Sequence, residues 1–299
     1  MLVSLLKIFL KIDIVIMSND ILKEIKERIS KGRIDVPASK PKPPLTRFTD
    51  ISDIEGMRVA GKLAADVIDM LMPYVVPGVT TDELDIIAHN YIISVQGSIP
   101  APLNYHGFPK SICASVNDVI CHGIPNDKAL KKGDAVNIDI TIIKDGYYGD
   151  TSRMFFVGQP APHLERLCKI TQECLYLAIR MVKPGVRIGD LGAAISAHAH
   201  KHHYSVVEEY CGHGLGTTFH GEPQVPHYGV AGTGVVLEEG MTFTIEPMIN
   251  AGKKQVKHSG QDNWIAKTKD GRLSAQYEHS LLVTADGVEV LTLRSEESF

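Results

Sequence analysis

The sequence predicts an α+β fold built from two related halves around an antiparallel sheet. Three observations support this prediction. Apolar residues recur at helical spacing in two pairs of segments, the phrase Val-x-Pro-Gly-Val stands between the helices of each pair, and strand patterns follow. The two phrases begin at Val75 and Val182, 107 residues apart. Two copies at so long an offset indicate paired halves, because a solenoid needs more copies at a shorter period.

Four amphipathic helices are predicted from apolar residues that recur every three or four positions. The faces of the first half contain Met57, Ala60, Ala64, Val67, Ile68 and Leu71, then Leu84, Ile87, Ala88, Tyr91 and Ile92. Those of the second half contain Leu164, Leu167, Cys174, Leu175, Ala178 and Met181, then Leu191, Ala194 and Ile195. We expect these faces to pack in one compact unit.

Strands are predicted where polar and apolar residues alternate. Residues 136–143 alternate and meet Asp145-Gly146, a strong hairpin signal, after which residues 147–157 return as the partner strand. Two later segments, residues 241–249 and 274–283, are also predicted to be strands.

Residues 1–45 are predicted to be an N-terminal extension, and residues 46–299 the main domain. The stretch 1–16 is apolar but is interrupted by two lysines and an aspartate, so it is too broken to span a bilayer. We expect the true start at Met17, with a weak amphipathic surface anchor as the alternative.

The rest of the extension is predicted to contain a short charged helix over residues 20–34. The proline-rich strap, residues 37–44, disfavours helix because proline lacks the backbone N–H and fixes φ. We interpret it as a linker, with a segment that docks on the main domain or on a partner as the alternative.

Composition excludes several functional classes. A net charge of -4 in 299 residues offers no general attraction to nucleic acid or to an anionic membrane. The five cysteines are odd in number and never form a C-x-x-C pair, which argues against a disulfide framework and a zinc finger. The chain is therefore expected to work in a reducing compartment, the cytoplasm.

The hairpin places two carboxylates together. If Asp145-Gly146 forms a two-residue loop, Thr141 pairs with Asp150, and Asp139 lies on the same face, diagonal to Asp150. Two converging carboxylates repel each other unless a cation lies between them. A solvated polar face is the alternative interpretation.

Three further segments add candidate metal ligands. His213 stands among glycines, which let the backbone approach a site closely, while Glu246 and Glu278 lie in apolar strand segments. Unpaired carboxylates in buried strands are costly, so these glutamates favour a cation. Four carboxylates and one imidazole suit two divalent ions that share an activated water.

The chain resembles the type I methionine aminopeptidases in seven segments that occur in the family's order over about residues 46 to 292. They are residues 117–125 (NDVICHGIP), 137–139 (NID), 149–152 (GDTS), 212–214 (GHG), 219–220 (FH), 243–248 (FTIEPM) and 276–279 (QYEH). The resemblance implies the pita-bread fold, whose two related halves account for the internal repeat. It makes residues 46–299 a metallopeptidase domain.

The resemblance also implies the site residues and the reaction. The implied metal ligands are Asp139, Asp150, His213, Glu246 and Glu278, with Asp150 and Glu278 bridging two ions of cobalt, manganese, iron or zinc. Glu246 would accept a proton from the attacking water, His220 would stabilise the carbonyl oxygen, and His122 would contact the scissile amide nitrogen. The implied reaction removes the N-terminal methionine of nascent polypeptides, with a small second residue preferred.

The resemblance further implies a substrate pocket, a minor cation site and partners. The pocket for the methionine side chain is formed by Tyr105, Phe108, Cys113, Phe219 and Trp264, and a monovalent cation would lie near Asn117, Val119 and Ser274. The implied partners are nascent N-termini, with the ribosome as a candidate; no nucleic acid or membrane is expected, and the chain is expected to be a monomer.

Two departures from the family and the remaining histidines need an interpretation. Thr217-Thr218 stands where relatives often carry Arg-Gly, and Gly221 replaces a frequent glutamate, so we expect altered contacts at the substrate rim. The tract that includes His198 and His202, four apart on a helix, is predicted to be packed or at the surface, with adventitious metal binding as the alternative. His89 and His227 have no supporting constellation and are predicted to lie at the surface.

Two rival functions remain open at this stage. One is a proline-specific peptidase or creatinase-like hydrolase of the same fold, although those enzymes usually carry a sizeable extra N-terminal domain. The other is a metal-free binding module, which should have lost ligands, whereas all five are present.

Overall fold

Both predicted helix pairs are present in the computed structural model, which describes residues 20–38, 41–260 and 263–298. The helices of the described chain are α1 (20–29), α2 (Ile51–Leu71), α3 (Thr81–Ser94), α4 (Pro162–Ile179) and α5 (Ile188–Lys201), with 3₁₀ turns at Met72–Tyr74 and Tyr105–Gly107. Helices α3 and α5 have equal lengths and begin 107 residues apart, as the repeat predicts. Their predicted apolar faces are largely buried.

The strands form four sheets in the described chain. The first sheet contains β1 (Ile99–Pro100), β2 (Cys113–Val116), β4 (Ala135–Lys144) and β5 (Tyr147–Phe156). A second has the order β15 (Val288–Val290), β14 (His279–Val283), β9 (Thr242–Ile245), β7 (Gly212–Gly214) and β8 (Gly221–Val225). A third joins β13 (Ser274–Gln276), β10 (Met248–Asn250) and β6 (Ser205–Val206), and a fourth joins β11 (Val256–Ser259), β12 (Ile265–Thr268) and β3 (Val119–Cys121).

The repeat extends to individual hydrogen bonds. The N–H of Gly78 donates to the carbonyl of Leu130 at 2.8 Å, and 107 residues later the N–H of Gly185 donates to Leu237 at 2.9 Å. The two glycines have φ of 96° and 89°, a left-handed backbone that favours glycine. The glycine of each Val-x-Pro-Gly-Val phrase therefore turns the chain in the same way in both halves.

The hairpin β4–β5 has the predicted register. Thr141 pairs with Asp150 and Lys144 with Tyr147, so Asp145 and Gly146 form a two-residue loop. Both loop residues have positive φ, 52° and 86°, as the type I′ turn requires. Turn chemistry thus places both carboxylates of the hairpin on one face.

The two later strands are not continuous, and this part of the prediction is wrong. The first segment breaks between β9 and β10 at Glu246-Pro247, and the second breaks between β13 and β14 at Tyr277-Glu278. The breaks lie opposite each other, since Ile245 pairs with His279 in one sheet while Met248 pairs with Gln276 in the next. At this point the chain passes from one sheet to another, and proline lacks the N–H that would continue the ladder.

The N-terminal extension packs on the main domain more than the sequence suggests. Helix α1 ends near residue 29, not 34, because Gly32 turns the chain with φ 68°. Ile25 is only 1% exposed and belongs to the same core cluster as helices α2 and α3. The prediction for residues 1–16 concerns a segment outside the described residues.

The strap contacts the main domain at its C-terminal end, as the docking alternative expects, while most of its described residues are exposed. Residues 43–46, here called the docking segment, make backbone hydrogen bonds to the main domain, including Thr217 N to Leu45 O at 2.9 Å and Thr242 N to Thr46 O at 2.9 Å. Ahead of the docking segment, Lys42 contacts the hydroxyl and the ring of Tyr147. Lys42 thus contacts the first half of the fold, and the docking segment contacts the second.

Two further expectations concern cysteines and membranes. All five cysteines are free, four of them buried. In the described ranges, no helix combines the length and the apolar character that crossing a bilayer requires.

Candidate metal centre and substrate pocket

The hairpin supplies two carboxylates. Asp150 is buried on β5, and its Oδ1 accepts a hydrogen bond of 2.8 Å from the hydroxyl of Thr141 across the ladder. Asp139 lies two residues before Thr141 on β4, opposite Cys113 of β2. The Oδ1 atom of Asp139 is buried and has no hydrogen-bond partner in the described structure. A buried carboxylate oxygen without a hydrogen-bond partner suits the role of a metal ligand.

The second half supplies an imidazole. His213 lies in β7 between two glycines whose missing side chains allow close backbone approach, since a Cβ on Gly212 or Gly214 would collide with neighbouring carbonyls. The Nε2 atom of His213 lies 3.6 Å from Asp150 Oδ2 and 3.6 Å from Glu246 Oε1. The residue therefore faces carboxylates from both halves.

The two glutamates occupy the breaks between sheets. The Oε1 atom of Glu246 accepts a 2.9 Å hydrogen bond from Thr244, and its Oε2 atom accepts one of 3.2 Å from Gln276. The backbone N–H of Glu278 donates to Ser152 O at 3.0 Å, which joins this residue to strand β5. Each glutamate thus lies where the chain leaves one sheet for the next, and hydrogen bonds from neighbouring residues hold it at the site.

The electrostatics of the site favour a cation. Burial raises the pKa of Asp139 to about 7, and burial together with Asp139 raises that of Glu246 to about 8. Burial and the neighbouring carboxylates hold the pKa values of Asp150 and Glu278 well above the usual range. Burial lowers the pKa of His213 to about 3, so its imidazole is neutral and free to bind a metal.

The five predicted ligands converge on one cavity. Asp150, His213 and Glu278 each offer a donor atom within 4.8 Å of the others, and Asp139 and Glu246 line the same cavity. Hard carboxylate oxygens and one imidazole suit divalent ions such as manganese, cobalt, iron and zinc. The residues present therefore fit the divalent metal that such a donor set implies.

The seven predicted substrate residues line this same cavity, whose volume is about 260 Å³. They are Tyr105, Phe108, Cys113, His122, Phe219, His220 and Trp264. The rings of Phe108 and Trp264 meet edge to face at 5.3 Å, and Phe219 lies 4.8 Å from Tyr105 between ring centroids. An aromatic pocket with a buried thiol suits an apolar thioether side chain.

Two neutral histidines stand at the border between pocket and carboxylates. His122 lies 5.9 Å from Trp264 between ring centroids, and burial, with His220 as a lesser cause, lowers its pKa to about 4. The Nδ1 atom of His220 lies 2.9 Å from the hydroxyl of Tyr105, and burial lowers its pKa to about 4 as well. A neutral imidazole can donate one hydrogen bond and accept another.

Sequence reasoning misses several residues of the site and its surroundings. The predicted surface position of His227 is wrong, because this residue is fully buried and its Nε2 atom accepts the N–H of Glu246 at 3.1 Å. The same prediction is wrong for His89, which is buried between Ser111 and the carbonyl of Ile34. Tyr210 packs edge to face on His122 at 5.2 Å. No local pattern marks these contacts, because each joins segments that are not neighbours in the chain.

The candidate monovalent-cation residues are neighbours. The carbonyl of Asn117 accepts the N–H of Ser274 at 2.9 Å, and Val119 begins strand β3 close to Asn117. Asn117 has φ of 56°, so its carbonyl turns out of the strand direction.

Part of the histidine tract forms a half-buried cluster with Glu173. His198 Nε2 lies 2.9 Å from Glu173, and the donor atoms of Glu173, His198 and His202 lie within 4.8 Å of one another. Arg166 approaches His202 at 3.4 Å and Lys169 approaches Glu173 at 4.0 Å. These two cations oppose a metal ion at the same place.

Comparisons with known proteins agree with this geometry. The model of metallopeptidase family M24 matches residues 55–285. Methionine aminopeptidase of Escherichia coli K12 is 60% identical over 247 residues, which cover 82% of this chain and 93% of that protein. The crystal structure of methionine aminopeptidase from Rickettsia prowazekii superposes with a TM-score of 0.81 at 52% identity and covers 83% of this chain and all of that one.

A more distant structure shares only the architecture. Prolidase from Pyrococcus furiosus is 22% identical with a TM-score of 0.65 over 84% of this chain and 66% of that chain, which shows the common pita-bread fold. The sequence and structural matches together assign the chain to metallopeptidase family M24 and, within it, to the methionine aminopeptidases.

Proposed function

We propose that the chain removes N-terminal methionine from nascent polypeptides with two divalent ions held by Asp139, Asp150, His213, Glu246 and Glu278. The observation that carries this proposal is the meeting of four carboxylates and one neutral imidazole in a single cavity lined by aromatic rings. When bound, the ions supply charge stabilisation and lower the pKa of the attacking water.

The side chains around the cavity have separate roles in the proposed reaction. Glu246 accepts the proton of the attacking water, because its carboxylate lines the cavity beside His213 and the other proposed ligands. His220 donates to the carbonyl oxygen as negative charge develops there, and the Tyr105 hydroxyl at 2.9 Å orients its ring. His122 hydrogen-bonds the scissile amide nitrogen.

Specificity follows from the shape of the cavity. The methionine side chain enters the aromatic pocket, whose mostly apolar wall excludes charged side chains. The free α-amine of the substrate lies toward the carboxylates, which restricts the reaction to N-termini. We expect a small second residue to be preferred.

The finer assignments belong to the same proposal. Residues 46–299 form the metallopeptidase domain, on which the described part of residues 1–45 packs. The enzyme acts as a cytoplasmic monomer on chains that emerge from the ribosome, and a monovalent cation binds near Asn117, Val119 and Ser274.

Peptide hydrolysis tests the proposal directly. Release of methionine from Met-Ala and Met-Gly peptides should be fast, and hydrolysis of Xaa-Pro peptides should be negligible. Metal analysis of protein purified without added ions should give about two divalent ions per chain. Faster cleavage of Xaa-Pro peptides, or full activity without any divalent ion, would reject the assignment.

A further inference from the structure

The docking segment, residues 43–46, lies against the loop that carries two substrate residues. This rim loop, residues 215–220, joins β7 to β8 and contains Phe219 and His220. The sequence predicts altered substrate contacts at Thr217-Thr218. The structure instead directs the hydroxyl of Thr217 toward the docking segment.

One end of the rim loop is held at Thr217. Its hydroxyl accepts the N–H of Leu45 at 2.7 Å and donates to the carbonyl of Pro43, while its own N–H donates to Leu45 O at 2.9 Å. Thr217 is only 8% exposed, so water does not compete freely for these bonds. Three hydrogen bonds from one residue fix the separation of the two segments.

The other end of the rim loop is held just beyond His220. The hydroxyl of Thr46 donates to the carbonyl of Glu222, in β8, at 2.6 Å. The carbonyl of Thr46 in turn accepts the N–H of Thr242 at 2.9 Å, at the start of β9, the strand that leads to Glu246. Consecutive residues of the docking segment therefore contact both ends of the rim loop and the strand beside it.

Glycines make this approach possible. A Cβ on Gly216 would collide with the carbonyl of Leu45, and a Cβ on Gly221 would lie 2.6 Å from Cγ2 of Thr46. The absence of a side chain at Gly221 leaves room for Thr46, and Thr217 supplies hydrogen bonds to the docking segment.

The rim loop, once fixed by these contacts, sets the position of the His220 imidazole. Phe219 stacks on Tyr148 at 5.7 Å, and the ring of His220 lies 4.3 Å from that of His213 between centroids. Within the described residues the side chain of His220 makes one hydrogen bond, to Tyr105, and stacks on Phe219 of the same loop, so the position of the rim loop contributes to that of the imidazole.

We propose that residues 43–46 act as a positioning element of the active site, which holds the rim loop at Thr217 and at Glu222 and so aligns His220 with the substrate carbonyl. This inference rests on the role of His220 given under Proposed function. Thr217 and Thr46 are positioning residues, because they act through the loop and touch no reacting atom.

The first experiment compares Thr217→Val with Thr217→Ser in the full chain. Valine keeps the shape but removes both side-chain hydrogen bonds, so kcat on a Met-Ala peptide should fall about 10- to 100-fold with KM changed less than about threefold. Serine should retain most of the activity. Metal content and thermal midpoint are measured for each variant. Thr171→Val, which removes a buried hydroxyl of helix α4, is the matched control and should keep wild-type kcat.

A double-mutant cycle with His220→Ala separates positioning from general destabilisation. If the docking segment acts through His220, Thr217→Val should lower kcat by less than about twofold in the His220→Ala background. An equal loss in both backgrounds, or wild-type kcat in Thr217→Val, would overturn the inference and leave the proposed function intact. Wild-type turnover in His220→Ala would reject the proposed role of His220 and the inference with it. If Thr217→Val fails to fold, Thr46→Val replaces it in the same cycle, with the same expectations.

Discussion

The Nε2 atom of His213 lies 3.6 Å from Oδ2 of Asp150, and this contact joins the hairpin of the first half to strand β7 of the second. Neither half contains all five proposed ligands, since Asp139 and Asp150 come from one half and His213, Glu246 and Glu278 from the other. The centre therefore exists only when the two halves pack together. The predictions below test the centre and the fold that assembles it.

Asp139→Asn should remove metal and activity together while the protein stays folded. The substitution keeps the shape but removes the charge of a carboxylate whose Oδ1 atom has no partner among the described residues. We expect at least one divalent ion to be lost and turnover of a Met-Ala peptide to fall by about 100-fold or more, as for loss of a catalytic metal interaction worth several kcal/mol. Asp145→Asn, at the exposed tip of the same hairpin, is the control and should retain its metal content and its turnover. Full metal content and normal turnover in Asp139→Asn would contradict the ligand assignment.

Removal of divalent ions should destabilise the protein reversibly. Four buried carboxylates repel one another when no cation compensates them. Chelation should therefore lower the thermal midpoint, and manganese in 100-fold excess over its dissociation constant should restore about 2.7 kcal/mol for each bound site. The Asp139→Asn variant should show a smaller shift. Identical thermal midpoints for wild-type protein with and without chelator would count against a structural contribution of the metal.

His220→Ala should reduce turnover but keep both ions. His220 lines the cavity, but its side chain contacts the hydroxyl of Tyr105 and neighbouring aromatic rings and forms no ion pair with the carboxylates of the described chain. Loss of one transition-state hydrogen bond should cost about 100- to 1,000-fold in kcat, measured under saturating peptide. His200→Ala, an exposed histidine of α5, is the control. Loss of bound metal in His220→Ala would make it a ligand instead.

The repeat predicts matched effects at its two turn glycines. Gly78 and Gly185 have similar positive φ, and within the described structure no atom lies within 4 Å of the place where an alanine Cβ would stand, so alanine would bring strain without collision. Each substitution to alanine should lower the free energy of unfolding by about 1–2 kcal/mol in urea denaturation. Gly287→Ala, which meets only an ordinary contact of 3.9 Å and has no positive φ, should have little effect. A large difference between Gly78→Ala and Gly185→Ala would show that the halves do not use the turn alike.

Glu297→Gln should lower the free energy of unfolding near neutral pH, and it should lower it less in acid. Burial opposes the charge of Glu297, but the hydrogen bond to His279 and the charge of Arg294 hold its pKa well below the usual range. A group whose pKa is lower in the folded than in the unfolded state stabilises the fold at pH values above its unfolded pKa, here about 4.3. This stabilisation is lost as the pH falls from there toward the folded pKa. We expect a loss of about 3 kcal/mol at pH 7, typical of a broken buried ion pair, and a smaller difference at pH 4.

The neighbouring surface pair provides the control for this prediction. Glu296 pairs with Arg153 with 40% of its side chain exposed, so Glu296→Gln should change the free energy of unfolding by less than about 1 kcal/mol. Equal effects of the two substitutions at pH 7 would show that the buried cluster contributes no more than a surface pair.

Local chemistry in the sequence determined the helices, the repeat and the hairpin. The offset of 107 residues, the apolar periodicity and the Asp145-Gly146 turn each depend on residue patterns that are visible along the chain. The register that pairs Thr141 with Asp150 follows from that turn alone, which is why it could be predicted. The residue types suited to divalent ions could also be recognised directly, because buried carboxylates favour a cation wherever they converge.

Only the tertiary structure decided how those residues meet. The chain changes sheets at Glu246 and at Glu278, which a strand pattern interpreted as continuous cannot reveal. The buried His227 beside Glu246 and the docking of residues 43–46 on the rim loop join segments that are distant in the chain. Such contacts depend on which surfaces pack together, and that is set by burial over the whole fold and not by any local pattern.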